Sequence, residues 1–431
     1  MTDEAATCPY GHLKDVLAEG TLLDRKIQAS PNWFYGELRR KDPVHYDAKL
    51  GMYLVSRFED IQTVVQDPVT FSSERGYREQ YAKGYHEEFQ KILAEEGGGY
   101  FPDAVKTDPP YHTRIRKLID KAFTAHRVKE LEPKIVEIVR DVLAAVAPRG
   151  EADGVGDIAA PVTIKFICEQ LGLGDVEGRK IQDWSYAVVA QMGQMQTHEQ
   201  MVANARRICE LQLFLIDHIR DRQARPRDDM ISDLLHARIE DDEASALTFE
   251  EIVSLVRAFL IAGNETTATA ISHLLVLFAT QPDVAEAVHA NAEDERYMNR
   301  FVEELLRWEP PSRGLTRMTT RDVELGGKML PEGSHIMLLW ASGNDSESVF
   351  PCPRTFDVTR ENLGKHLSFG SGPHRCVGAA LALMEIKVTA REVVRQLTDI
   401  RLAIPAEEIR FVPTVATHPI AELPLSFRWR A

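Results

Sequence analysis

A capping box followed by some thirty residues without proline constrains this chain more than any other feature. Thr248 followed by Glu251 gives a helix-start signal, and a helical pattern then runs to about Thr280. At 1.5 Å per residue this predicts a rod of roughly 45–50 Å. Its middle is made of weak helix formers: Ala262, Gly263, Asn264, Glu265, Thr266 and Thr267. Glycine costs up to ~1 kcal/mol in a helix interior, and β-branched threonine is also poor there. Such a centre predicts a local distortion that serves a purpose. The glycine would let something approach the backbone, while Glu265 and Thr266 offer an acid beside an alcohol. A solvated acid with a back-bonded threonine accounts for the same residues, and both readings stand at this point.

The rest of the chain reads as helix-dominated with a small β region, an α+β class. "PVHYDAKLGMYLVSR" predicts a hairpin of two short strands and "FEDIQTVVQDP" a short helix after it. From about 110 to 310 the periodicity is mostly helical. Strand-like runs return in "DVELGGKMLPEGSHIMLLW", divided by a Gly-Gly turn, and again near 400–429. With no linker or repeat, residues 1–431 read as one large domain. Its β-rich N-terminal lobe (about 40–75) would be completed by C-terminal strands, beside a helical lobe of about 105–310 and 366–400.

Bulk properties narrow the function classes. A formal net charge of −15 speaks against a nucleic-acid partner. The five cysteines (Cys8, Cys168, Cys209, Cys352, Cys376) are odd in number and contain no C-x-x-C pair, which reads as reduced and intracellular. The N-terminus has no signal-peptide pattern, and no window approaches the ~18 apolar residues of a spanning helix. A cytoplasmic protein without a membrane anchor is expected.

Three short stretches carry chemistry. In "FGSGPHRCVGAALA", residues 369–382, a lone Cys376 lies between glycine-rich turns ahead of a helical pattern. A phosphatase-type loop would want a basic residue six positions after the thiol, where Ala382 stands. A zinc site would want more cysteine or histidine at short spacing. A haem thiolate needs one cysteine on a tight loop before a helix, with amides near the sulfur. In "EELLRWEPP", Glu304 and Arg307 share a helical face, usually no more than a surface pair. In "DPPYHTRIRKLIDKAF", His112 and Arg116 sit four apart and could face an anion or solvent.

Together these stretches resemble the cytochrome P450 family. The cysteine loop matches F-G-x-G-x-[HR]-x-C-x-G at Phe369, Gly370, Gly372, His374, Cys376 and Gly378. "AGNETT" is similar to the oxygen-groove motif of the family's I helix and "ELLR" to the E-x-x-R of its K helix. "TFDVTR" is similar to the segment that supplies a further arginine, here Arg360. The motifs stand in the family's order across nearly the whole chain.

The resemblance implies the cytochrome P450 fold, with haem b held between the long central I helix and the L helix. Cys376 would be the axial thiolate and metal ligand, with Phe369 and Gly378 beside it. His374, Arg317, His112 and Arg116 would hold the propionates. Glu304, Arg307 and Arg360 would form a structural triad. Ala262 and Gly263 would make room for dioxygen, Thr266 would organise water there, and Glu265 would connect it to a proton supply. The pocket would draw on segments 84–104, 178–205, 258–267 and 312–316 and the turn at His418. Within them Ala258, Phe259, Leu315 and His418 are the substrate-pocket candidates, with Met192 and Met195.

The implied activity is that of a monooxygenase that takes O2 and hydroxylates a hydrophobic small molecule. Electrons would come from a 2Fe-2S ferredoxin and an NAD(P)H-dependent ferredoxin reductase, docking a monomer near Lys117, Lys365 and Arg375. A peroxide-driven peroxygenase and a non-catalytic haem sensor are the alternatives; the acid–alcohol pair favours the monooxygenase. Two positions depart from the family pattern. Asn344, Asp345 and Ser346 stand where Asn-Arg-Asp is usual, and Leu383 stands where arginine often follows "LA".

Overall fold

The computed structural model describes residues 13–80, 85–122, 129–174, 176–192, 196–239 and 246–430. Cys8 and Met195 therefore lie outside the described residues, as does the side chain of Met192.

The long helix spans Phe249–Thr280. Thr248 Oγ1 accepts from the Glu251 amide at 3.2 Å, and Glu251 Oε2 accepts from the Thr248 amide at 2.8 Å. The capping box is thus complete, and two of the otherwise orphaned amides at the helix start are satisfied. The helix is apolar on nearly every side because it crosses the interior. Val253, Leu255, Val256 and Leu260 belong to one core cluster, while Leu274, Leu275, Leu277 and Phe278 belong to another. No break interrupts the helix at 262–267. The helix continues through this stretch, and the Thr266 hydroxyl donates to the Ala262 carbonyl at 2.8 Å. Threonine here satisfies its own donor on the helix, a back-bond of the kind that favours a gentle bend.

The β region begins with the predicted hairpin. Strands β1 (Val44–Asp47) and β2 (Met52–Val55) pair antiparallel, Val44 opposite Val55. With β3 (Phe71–Ser72), β4 (Glu151–Asp153) and β5 (Gly314–Thr319), then β6 (Val323–Leu325), β7 (Lys328–Leu330) and β8 (His335–Leu339), the topology becomes clear. One five-stranded sheet runs β1-β2-β8-β5-β3, in which only β2 and β8 are parallel. β6 and β7 form the hairpin at Gly326 and Gly327, whose φ of 56° and 79° suits the tight two-residue turn.

The N-terminal strands are therefore completed by residues 314–339 and not by the last strands of the chain. β9 (Leu397–Leu402) begins directly where helix Ala379–Gln396 ends, so no linker carries the chain back to the first sheet. After β10 (Arg410–Phe411) and β11 (Ile420–Glu422), β12 (Pro424–Trp429) instead pairs with β4 and β9. Among the described residues no helix is long and apolar enough to cross a membrane.

Candidate active site

The cysteine loop is shaped by backbone bonds. The Gly370 amide donates to the Leu367 carbonyl, the Arg375 amide to Gly372 and the Cys376 amide to Phe369, at 2.8, 3.1 and 2.8 Å. Gly370 and Gly372 adopt φ of 65° and 67°, which side chains rarely tolerate. A Cβ on Gly372 would also lie 2.4 Å from the Val65 carbonyl oxygen. The chain then enters helix Ala379–Gln396, with Gly378 at its N-cap.

Cys376 opens onto a cavity of about 490 Å³. Burial pushes its thiol up; the Gly378 amide, Arg116 and Arg375 pull it down. The wall also contains Ala262, Gly263, Glu265 and Thr266 of the long helix. The fold thus brings the acid–alcohol pair and the cysteine, 110 residues apart in the chain, to one chamber.

Among the described residues the Glu265 carboxyl has no hydrogen-bond or ion-pair partner, and burial pushes it up to about 7. Gly263 has a packing role that the sequence did not suggest. A Cβ there would sit 3.2 Å from Ile167 Cδ1, on helix Ala160–Leu171. Next to it, Asn264 accepts from the Thr163 hydroxyl at 2.7 Å and donates to Ser185 Oγ at 3.1 Å, fixing the rotation of the long helix.

Cations gather at one edge of the chamber. Arg317 and His374 both line it. Arg317 is buried, donates to the Thr316 carbonyl at 2.7 Å and forms no ion pair among the described residues; burial brings it down to about 10, while the charge of Asp108 pulls it up. His374 Nε2 is buried without a hydrogen-bond partner. Burial, then Arg317, His112 and Arg116, bring this ring down to about 3. An unpaired guanidinium beside an orphaned imidazole nitrogen is the surrounding that a dianionic group such as a pair of propionates requires.

His112 and Arg116, expected to touch the same group, stand behind it. Sharing a face of helix Tyr111–Ala122, His112 places its ring 3.9 Å from that of His374. Arg116 bonds the Arg375 carbonyl and pairs with Asp120 at 2.8 Å. Neither lines the cavity, so they position the loop from outside.

The triad is fully formed and buried. Glu304 receives Arg307 Nε at 2.7 Å and Arg360 Nε at 3.0 Å. Arg307 also donates to the Asn344 carbonyl, and Arg360 to the carbonyls of Pro351, Cys352 and Thr355. Asn344, the first residue of the unusual Asn-Asp-Ser tripeptide, ties this cluster to the cysteine loop. Its side chain accepts from the Leu367 amide at 2.6 Å and donates to Ser368 Oγ at 2.9 Å.

Of the substrate-pocket candidates, Ala258, Phe259 and Leu315 line the cavity and His418 does not. The neighbouring Ala416 and Thr417 do. The His418 ring turns away to Glu309, 2.9 Å from its Nδ1, and stacks on Phe411. Five charged lining residues do not stand out in the sequence: Glu74, Asp103, Lys106, Arg257 and Glu385. Glu385, nine residues after Cys376, has a buried Oε1 without a partner, and burial pushes it up to about 8.

The cytochrome P450 family model matches residues 183–398. The chain belongs to the cytochrome P450 family. It is 32% identical over 381 residues to cytochrome P450 107B1 of Saccharopolyspora erythraea, covering 87% of this chain and 89% of that protein. It is also 32% identical to the 6-deoxyerythronolide B hydroxylase of the same organism, covering 91% and 96%. Among solved structures, cytochrome P450 CREJ in complex with (4-ethylphenyl) dihydrogen phosphate superposes with a TM-score of 0.85 at 29% identity. That match covers 94% of this chain and 98% of the other. The protein is a P450 monooxygenase that acts on small molecules, with haem-thiolate as its cofactor.

Proposed function

We propose that this P450 hydroxylates a hydrophobic small molecule, drawing electrons from a 2Fe-2S ferredoxin and its NAD(P)H-dependent reductase. In this reading Cys376 binds the iron, Arg317 and His374 hold the propionates, and His112 and Arg116 position His374. The haem supplies oxygen activation and C–H oxidation, chemistry that no side chain provides.

The protein's share is proton control and shape. The observation that carries the reading is Glu265, an unpaired acid titrating near 7 in the wall that Cys376 also lines. A general acid works best with a pKa near the operating pH, because it can give up a proton and regain it. Thr266 spends its one proton on the Ala262 carbonyl. Its lone pairs remain to accept from a water in the chamber, which Glu265 can recharge. A peroxide-driven enzyme or a haem sensor has no need of this relay.

The test compares turnover with ferredoxin, reductase and O2 against turnover with hydrogen peroxide alone. Reductive turnover at least tenfold faster than peroxide turnover supports the monooxygenase reading; the reverse order overturns it. The reduced, CO-bound protein should show the red-shifted Soret band of thiolate-ligated haem. Cys376→Ser should abolish that band, and Cys168→Ser, Cys209→Ser and Cys352→Ser should keep it.

A further inference from the structure

Arg257 stands on the long helix six residues before Gly263, about 9 Å along the axis at 1.5 Å per residue. It lines the same chamber as Cys376. Its guanidinium donates from Nη1 to Gln212 Oε1 at 2.8 Å and from Nη2 to the Phe101 carbonyl at 3.0 Å. Both acceptors are neutral, and among the described residues no carboxylate pairs with it. These two bonds aim the guanidinium and leave its charge uncompensated. A half-buried cation in that condition is poorly solvated and gains more than a surface arginine from a bound anion.

Lys106, far away in sequence, lines the same chamber. Burial, and then the charge of Arg257, bring its ammonium down to about 8, while Asp103 pulls it up. The Ala104 amide donates to Ser254 Oγ at 3.0 Å and Arg257 reaches the Phe101 carbonyl, so the segment that carries Lys106 lies against the turn of the long helix that carries Arg257. The nearby Asp103 carboxylate already accepts from the amides of Val105 and Lys106, at 2.9 and 3.0 Å. Two cations on one half-buried stretch of wall attract an anion more strongly than either does alone.

The helix between this pair and the reaction chamber is graded. Arg257, Ile261 and Glu265 follow one another at i, i+4 and i+8, and Ala258, Ala262 and Thr266 do the same beside them. All six line the cavity. Travelling along it, a molecule meets a cation, then an apolar stretch, then a carboxyl without a partner. Phe89, Leu93, Val188 and Leu315 make much of the remaining wall apolar, and Glu74 and Asp103 also line it.

We propose that the substrate is an amphipath with a single anionic group, a carboxylate or a phosphate ester, bound by Arg257 and Lys106, with its apolar end directed toward Gly263 and Thr266. Arg257 anchors and Lys106 adds charge. The oxidised carbon lies several bonds from the anionic group, because the anchor and the acid–alcohol pair are separated by two turns of helix. This substrate class rests on the reading of the cavity as the haem and substrate chamber.

Matched ligand pairs test it in the haem-loaded protein. Decanoate is compared with decan-1-ol, and 4-ethylphenyl phosphate with 4-ethylphenol, by dissociation constants from equilibrium dialysis and from the optical shift on ligand entry. The anion of at least one pair should bind ten- to a hundredfold tighter than its neutral partner, the gain typical of a charge-assisted contact. That preference should weaken with added salt. The pair that shows it distinguishes carboxylate from phosphate. Arg257→Gln should reduce the preference to less than about threefold, and Lys106→Gln should reduce it by a smaller factor. A purely structural role for Arg257 would shift both members of a pair equally and leave the ratio intact. Equal or weaker binding of both anions, or an unchanged ratio in Arg257→Gln, overturns the proposal. Loss of the thiolate Soret band in the wild-type CO complex would instead overturn the reading of the chamber itself, so the two failures are told apart.

Discussion

At the scale of single residues, two carboxyls in the chamber wall, Glu265 and Glu385, share one physical condition. Among the described residues each lacks a partner and is pushed up by burial, to about 7 and about 8. For a proton donor the sign follows directly. The protonated form is the active one, so turnover limited by Glu265 falls as pH rises through about 7. Glu265→Gln keeps the shape and cannot release a proton. Product formation should drop about 10²-fold, the usual scale of general acid catalysis, and the alkaline decline near pH 7 should disappear. The pH profile of product formed per NAD(P)H consumed measures both effects. An unchanged profile in Glu265→Gln would show that protons reach the chamber by another route. Residues of this kind were unevenly legible in the sequence. Glu265 and Thr266 stand out because they are poor choices for a helix centre. Arg257 does not, because an arginine on a helix ordinarily faces solvent, and only its neighbours Gln212 and Phe101 turn it inward. Chain position brings the turn at Ala416 and Thr417 to the cavity but does not set the direction of His418, whose side chain leaves it for Glu309.

At the scale of elements, the long helix was the most legible part of the fold and its centre the least. Cap, length and end could be read because they depend on local hydrogen bonds and on the absence of proline. The helix runs unbroken through 262–267 because two terms oppose the weak propensity there. Thr266 bonds back to Ala262, and Asn264 is clamped by Thr163 and Ser185. Gly263 is likewise explained by its neighbour, since its missing Cβ lets helix Ala160–Leu171 come close. This predicts a change of sign. With isoleucine at 167, Gly263→Ala crowds Cδ1 and should destabilise by about 1 kcal/mol, as overpacking outweighs the propensity gain. Ile167→Val deletes that Cδ1. On this background the same Gly263→Ala should become neutral or stabilising by up to about 1 kcal/mol, and the cycle should be non-additive by 0.5 kcal/mol or roughly more. Urea unfolding of the four proteins measures it. Additive effects would return Gly263 to a role confined to the chamber.

At the scale of the whole molecule, charge distribution matters more than its total. The chain carries −15 overall, a poor match for another acidic protein at long range. Yet the cysteine loop has exposed cations around it. Lys117, Lys365 and Arg375 are all exposed, and none forms an ion pair with another described residue. Two of them are set by elements that also build the site. Lys117 follows Arg116, and the Arg375 carbonyl is the one Arg116 holds. A ferredoxin docking here would approach the thiolate side of the haem through a local attraction that must overcome repulsion from the rest of the surface. Such a contact acts chiefly on association rate and is steeply sensitive to salt. Replacing all three cations by glutamine should therefore slow reduction by ferredoxin about tenfold or more at low ionic strength. The gap between variant and wild type should close as salt is raised. The CO-complex spectrum and the dissociation constant of a neutral ligand report whether the haem site itself has been disturbed. Reduction that stays as fast in the triple variant, at low salt and with that spectrum intact, would move the docking face elsewhere on the molecule.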